Sequence, residues 1–289
     1  MEEFVIKEKL SIRNATTLIG VIANIFLVIA LSGCLSGETV TPSVITDTPV
    51  TPGPPMPVTD TPSGPITDTP MPTLTPTPIP DESGSLPDMP KKPVPTSSTF
   101  QQCPPQGDGG DKQLNLLKNR IDEGSYVPVK FDSIMNLTWP KTIERKDRSK
   151  WSTTDKTTVA KYEGIPVMVE GYLFGARESG SESTNCHATS PDMVDWHIWL
   201  TKAAGEERAH SIVIEATPRI RPNHKWTIKL LDALAKNQTM VRISGWLFLD
   251  PEHPDQVGQT RGTIWEIHPI MQIEVQQNGN WVPLDNLTQ

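Results

Sequence analysis

Between residues 166 and 277 apolar and polar side chains alternate in five runs, interrupted once by helical spacing. In PVMVEGYLFGA (166–176), Val167, Val169, Gly171 and Leu173 fall on one side of an extended chain, with Glu170, Tyr172 and Phe174 on the other. That alternation predicts a half-buried strand. DWHIWL (195–200) sets Trp196, Ile198 and Leu200 against Asp195, His197 and Trp199, and SIVIEATP (211–218) reads as a shorter strand stopped by Pro218. RPNHKWTIKLLDALAKN (221–237) then places Ile228, Leu231, Leu234 and Ala235 on one stripe. A helix is expected there, with Asn223 as N-cap and Asn237 at its end. MVRISGWLFL (240–249) and GTIWEIHPIMQIEV (262–275) supply two more strands.

The order β-β-β-α-β-β, with its helix between the third and fourth strands, predicts a mainly β fold: a five-stranded OB-fold-like Greek-key barrel. An SH3-like barrel or an open α+β sheet are the alternatives. The barrel is expected over 166–277, followed by a C-terminal tail over 278–289. An N-terminal extension over 99–165, with a short helix at LNLLKNRID (114–122), should pack against it.

The pattern changes character upstream. ATTLIGVIANIFLVIA (15–30) is uncharged and apolar, follows Lys7, Lys9 and Arg13, and ends at LSGC. This has the form of a lipoprotein signal peptide over 1–33, with lipidation at Cys34. A retained membrane helix is the alternative. Residues 34–98 read as a disordered Thr/Pro-rich stalk: TDTP recurs at 46–49, 59–62 and 67–70, and 17 of the 29 prolines lie between 38 and 98. Proline removes amide donors and favours extended chain, so such a segment builds no core. The expected location is therefore outside the cytoplasm, anchored to the cell membrane by lipid.

With Cys34 assigned to lipid, Cys103 and Cys186 remain, and in an oxidising compartment a disulfide between them is the plain expectation. Residues 101–289 carry 21 basic and 24 acidic residues, a net charge of −3. That balance does not suit a non-specific nucleic-acid binder. All eight Trp and all six His also fall in this portion, so recognition or chemistry must arise here. No Walker loop, dinucleotide fingerprint, G-x-S-x-G or H-E-x-x-H motif occurs.

In an OB-like barrel the loops joining strands 1–2 and 4–5 flank the ligand face. The first of these loops carries Glu182, Asn185, Cys186 and His187; the second carries Asp250, His253 and Arg261. Three readings compete. A zinc-like divalent metal would draw on Cys186, His187, His197, His253 and His268, with Glu215 or Glu266 as base if a bound water were activated for hydrolysis. A ligand-binding face would use Tyr172, Phe174, Trp246 and Phe248 for stacking, together with Arg261; the plainer alternative is that residues 101–165 cover those rings. A structural network of Asp195, His197, Glu215, Arg219, Arg221, Glu266 and His268 would instead fix barrel register. The binding module is the leading functional expectation, for a cell-envelope or extracellular ligand the sequence does not name, and a metal-dependent hydrolase is the alternative.

The segments STNCHA, DWHIWL, IEATPR, GWLFLDPEH and TIWEIHPI resemble a recurrent pattern in uncharacterised bacterial secreted proteins, in which the chain closes on Trp-Glu-Ile-His-Pro. The resemblance spans roughly 110–275 and implies one domain without implying a reaction. Thr184 stands where the pattern carries a second cysteine, so a loop site built on two thiolates is not expected.

Overall fold

The computed structural model describes residues 86, 87, 89, 91–143 and 147–287. They all belong to one compact unit, Met71–Gln289. The apolar run at 15–30, Cys34 and most of the Thr/Pro segment lie outside the described residues. Among the described residues no helix is long and apolar enough to cross a membrane.

The fold is mainly β and is built on a closed five-stranded, OB-fold-like barrel. Its elements in chain order are α1 (Lys112–Lys118), β1 (Val127–Val129), α2 (Phe131–Met135), α3 (Thr153–Tyr162), β2 (Pro166–Glu178), β3 (Trp196–Thr201), β4 (Ile212–Ala216), α4 (Ile228–Lys236), β5 (Met240–Leu249), β6 (Trp265–Gln277) and β7 (Asn280–Pro283). The barrel runs β2-β3-β4-β6-β5 and closes by pairing β5 back onto β2; β4 and β6 are parallel and the other barrel pairs antiparallel. This is the five-strand Greek-key closure of an OB-fold.

Alternation along the strands sorts side chains between two faces. Val167 and Val169 of β2, Ile198 and Leu200 of β3, Ile212 and Ile214 of β4, Val241 and Ile243 of β5, and Ile267 and Ile273 of β6 are all buried and belong to one apolar core. The β5–β6 register shifts between Ser244 and Leu247. Gly245 permits the close approach there: a Cβ on it would lie 2.5 Å from both the Ile267 Cγ2 and the Pro269 carbonyl oxygen.

The helix between the third and fourth barrel strands starts later than the sequence pattern predicts. Residues 221–223 form a 3-10 turn, and the N-cap of α4 is Thr227, whose hydroxyl accepts from the Leu230 amide, in place of Asn223. Pro222 sits at the first turn of that 3-10 segment, and the apolar stripe begins only at Ile228. Leu231 and Leu234 then bury the helix face.

Residues upstream of the barrel wrap it. β1 pairs in parallel with β2, Val127 opposite Val167. Between α1 and β1, the Arg120 guanidinium lies 3.2 Å from the Trp246 ring centroid and Tyr126 meets that ring edge-on. The tract 91–98, which composition groups with the stalk, lies along this wrap: Thr96 exchanges hydrogen bonds with Ile121 and Asp122, and Ser97 donates to the Asn119 carbonyl. At the other end, β7 pairs with β6, and Asp285 just beyond it accepts from the Lys225 amide and sits 2.7 Å from His224 Nδ1.

Candidate functional site

Strand register brings the polar barrel residues together. His197 and Glu215 are directly opposed across β3 and β4, and Glu266 of β6 pairs with Val213 of β4 and Phe248 of β5. Partners in register share a face, so these side chains stand on the side of the barrel opposite the apolar core. His268 follows two residues after Glu266. The loop from β2 to β3 adds Glu182 and Asp195, the loop from β5 to β6 adds Asp250, His253 and Arg261, and α1 lays Lys118 over the group.

A buried, charged layer results. His268 Nδ1 lies 3.1 Å from Glu215 and 3.8 Å from Glu266, while its Nε2 is 4.0 Å from Asp195. His197 Nε2 is 3.2 Å from the other Glu215 oxygen. Arg261 donates to Asp250 at 2.9 Å and Glu266 at 2.6 Å, His253 holds Asp250 at 2.6 Å, and Lys118 donates to Glu182 at 2.9 Å. The His268 and Asp195 side chains are wholly buried and that of Glu266 is 1 % exposed.

Burial at this density displaces the titrations. Burial, reinforced by Asp250 and opposed by Arg261, pushes Glu266 up to about 7. Burial and the neighbouring Glu266 push Glu215 well above the carboxylate range, and burial with Glu182 raises Asp195. Burial lowers His197 and His268 to about 4 each. Asp250 goes the other way: although burial opposes it, the His253 hydrogen bond and the Arg261 charge hold it ionised. Lys118 stays protonated for the same kind of reason, with Glu182 and Glu215 outweighing its burial.

The residues expected to bind metal separate. Cys186 is joined to Cys103 in a disulfide, so its sulfur offers no thiolate. His187 is exposed beside Asp108, and His253 is committed to Asp250. Among the described residues Asp195, Glu215 and His268 form a set able to hold an ion, each offering one ligand atom within 4.8 Å of the others.

The expected aromatic face is not continuous. Trp246 and Phe248 are each 1 % exposed whereas Phe174 is 50 % exposed. Both buried rings lie on alternate positions of β5, but Trp246 belongs to the apolar core and is covered by Arg120 and Tyr126, and Phe248 packs on His268 with ring centroids 5.4 Å apart. Tyr172 is half-buried. Arg261 belongs to the buried ion pairs. Arg219 and Arg221 also leave the expected network: Arg219 donates to the carbonyls of Cys103 and Pro104, and Arg221 to those of Pro191 and Val194. Lys118 is the member that sequence reasoning missed. Its signal was its position four residues after Leu114, which sets both on one helix face.

Above the charged layer a cavity of about 340 Å³ opens between α1 and the β2–β3 loop. Asp111, Asn115 and Lys118 line one side, Ser181, Glu182, Ser183 and His187 the other. Asp111 caps α1, its carboxylate accepting from the Gln113 and Leu114 amides. Asn115 joins the two walls by accepting from the Thr184 hydroxyl at 2.8 Å. The Cys103–Cys186 disulfide ties the chain leading into α1 to the same loop. Searches against known protein families and against curated proteins found no match to the chain.

Proposed function

We propose that this chain is a membrane-anchored extracytoplasmic lipoprotein whose barrel domain is a binding module for a small polar ligand. The observation that carries the binding reading is the cavity between α1 and the β2–β3 loop. Its volume, about 340 Å³, falls within the roughly 300–1,000 Å³ typical of small-molecule sites. Its lining offers carboxylates, an amide, hydroxyls and a lysine, which suits a ligand with several hydrogen-bonding groups, such as a sugar or a short peptide.

The anchor reading rests on the apolar run ending at Leu-Ser-Gly-Cys34, and the Cys103–Cys186 disulfide supports an oxidising compartment. The closing Trp-Glu-Ile-His-Pro segment supports kinship with secreted bacterial proteins that share it. Binding is preferred to hydrolysis because Glu215 and Glu266, the two candidate bases, are 3 % and 1 % exposed. The cavity is lined by Lys118 and Glu182, not by either base.

The test is a thermal-shift screen of sugars, amino acids and short peptides against the protein and its Ser181→Trp variant. Ser181 is exposed at the cavity wall, so the indole obstructs the space without entering the core. A ligand at 100 times its Kd stabilises the native state by about 2.7 kcal/mol. Stabilisation lost in Ser181→Trp supports the reading. Absence of any stabilising ligand, or stabilisation that the tryptophan leaves unchanged, refutes it.

A further inference from the structure

The buried layer is rich in carboxylates relative to permanent cations. Glu182, Asp195, Glu215, Asp250 and Glu266 converge on it, and the permanent cations paired within it are Lys118, matched to Glu182, and Arg261, shared by Asp250 and Glu266. Among the described residues neither Asp195 nor Glu215 is ion-paired directly with a permanent cation, although the charge of Lys118 acts on both and that of Arg221 on Asp195. Arg219 is near enough for its charge to act on Asp195, but it directs its hydrogen bonds to the Cys103 and Pro104 carbonyls and toward Asn185.

A second observation concerns hydrogen bonding. Both Asp195 carboxylate oxygens, Glu215 Oε2, Glu266 Oε2 and both ring nitrogens of His268 are buried and make no hydrogen bond of good geometry, although the Asn185 amide lies near enough to act on Asp195. Native interiors leave few such atoms, and each carries a substantial desolvation cost. Here they adjoin one another around a single imidazole. Glu215 Oε2 and His268 Nδ1 approach to 3.1 Å without the alignment a hydrogen bond requires. A cation held between these atoms would satisfy both.

We infer that Asp195, Glu215 and His268 form a binding site for a divalent cation of the zinc class. Imidazole nitrogen with two carboxylates is a borderline donor set, suited to a first-row transition ion better than to calcium or magnesium, which favour oxygen alone. Such an ion, with bonds of about 2.0–2.2 Å, sets tetrahedral ligand atoms roughly 3.3–3.6 Å apart. The three donors, within 4.8 Å of one another, close inward around it. One bound ion then offsets both unmatched carboxylates and occupies the imidazole lone pair. Glu266, anchored by Arg261 through one oxygen, sets its other oxygen 3.8 Å from the same ring nitrogen that faces Glu215. The ion joins the end of the β2–β3 loop, β4 and β6 where the barrel's parallel pair meets. The inference does not depend on what the cavity above it binds.

The test uses the full chain, purified in detergent without a His tag. Metal content is measured by elemental analysis, and chelator-stripped protein is titrated with Zn²⁺ and with Co²⁺, whose visible absorption reports its coordination. The expected result is about one ion per chain, Co²⁺ bands of a low-coordinate nitrogen–oxygen site, and affinity lowered at least ~100-fold in His268→Gln and in Glu215→Gln. His253→Gln, which alters an imidazole outside the set, retains binding and controls for adventitious capture by histidine. Stripped wild-type protein that keeps its circular dichroism but takes up neither ion overturns the inference. So does stoichiometric binding that survives both His268→Gln and Glu215→Gln. Because wild-type titration alone can refute the site, a variant that fails to fold does not protect it, and the Ser181→Trp ligand test stands or falls separately.

Discussion

Replacing Arg261 with methionine removes the cation between two buried carboxylates while keeping much of the apolar stem. Arg261 is 2 % exposed, and its Nη1 donates to Asp250 and Glu266 at 2.9 and 2.6 Å. Breaking a buried ion pair from one side costs about 3–5 kcal/mol, because the remaining charge is left uncompensated. The two carboxylates differ in how they can respond. Asp250 keeps the His253 hydrogen bond, whereas Glu266, already raised to about 7 with Arg261 beside it, can escape by holding a proton. The sign of the pH dependence follows. A carboxyl raised in the folded state from near 4.5 to about 7 favours folding below the lower value. That advantage, about 3 kcal/mol at 1.36 kcal/mol per unit, is lost as the pH rises between the two. Without Arg261 the folded value rises further, so the loss continues above pH 7. Urea unfolding followed by tryptophan fluorescence should therefore show a modest deficit for Arg261→Met at pH 5.5 and the full ~3–5 kcal/mol at pH 8. Adding Glu266→Gln should recover most of it at pH 8. A deficit equal at both pH values, or below ~1 kcal/mol at pH 8, would refute the assignment of Arg261 as the counter-charge of a buried Glu266.

Three further outcomes are expected. Reducing the Cys103–Cys186 disulfide, which closes a sequence separation of 83 residues, should lower stability by about 4.5 kcal/mol on the loop-entropy relation, visible as a fall in Tm with reductant that a Cys103→Ala/Cys186→Ala protein does not show. His197, lowered to about 4 by burial, carries a penalty that is absent above pH 6.5 and grows as the pH falls toward 4, when the unfolded chain takes up its proton first. His197→Gln should accordingly gain up to ~3 kcal/mol relative to wild type between pH 7.5 and pH 4, and parallel pH profiles would exclude that role. Trp246→Ala should cost about 3–5 kcal/mol because the ring is enclosed by Arg120 and Tyr126, while Phe174→Ser, at an exposed position, should stay within ~0.5 kcal/mol; comparable losses would restore a shared aromatic face.

The barrel was legible because period-two alternation survives wherever one face of a strand meets a core: Val167, Val169, Ile198 and Ile214 announce it individually. The second buried face was not legible in the same way. Glu215, Glu266 and His268 are buried almost as deeply as those aliphatic residues and His197 is mostly buried, yet polar side chains on alternate positions read as solvent-facing. What buries them is a segment remote in sequence, α1 and its flanks, held by a disulfide to the β2–β3 loop, and no local pattern encodes a cover from 60 or more residues away. Arg120 and Tyr126, in the chain after α1, cover Trp246, while Phe248 packs on His268 with Arg148 over its ring, so neither ring reaches solvent. The cover also explains why Lys118 escaped notice, since its charge has meaning only against Glu182 across the interface. An OB-like barrel conventionally offers this face to a ligand. Here the chain's own N-terminal wrap occupies it, leaving two narrower spaces: the cavity at the edge of the wrap, and the carboxylate–imidazole set sealed beneath it. On the binding reading proposed above, a face covered in this way discriminates among ligands by what fits beside α1 or between Asp195, Glu215 and His268, and no longer by what stacks on an open sheet.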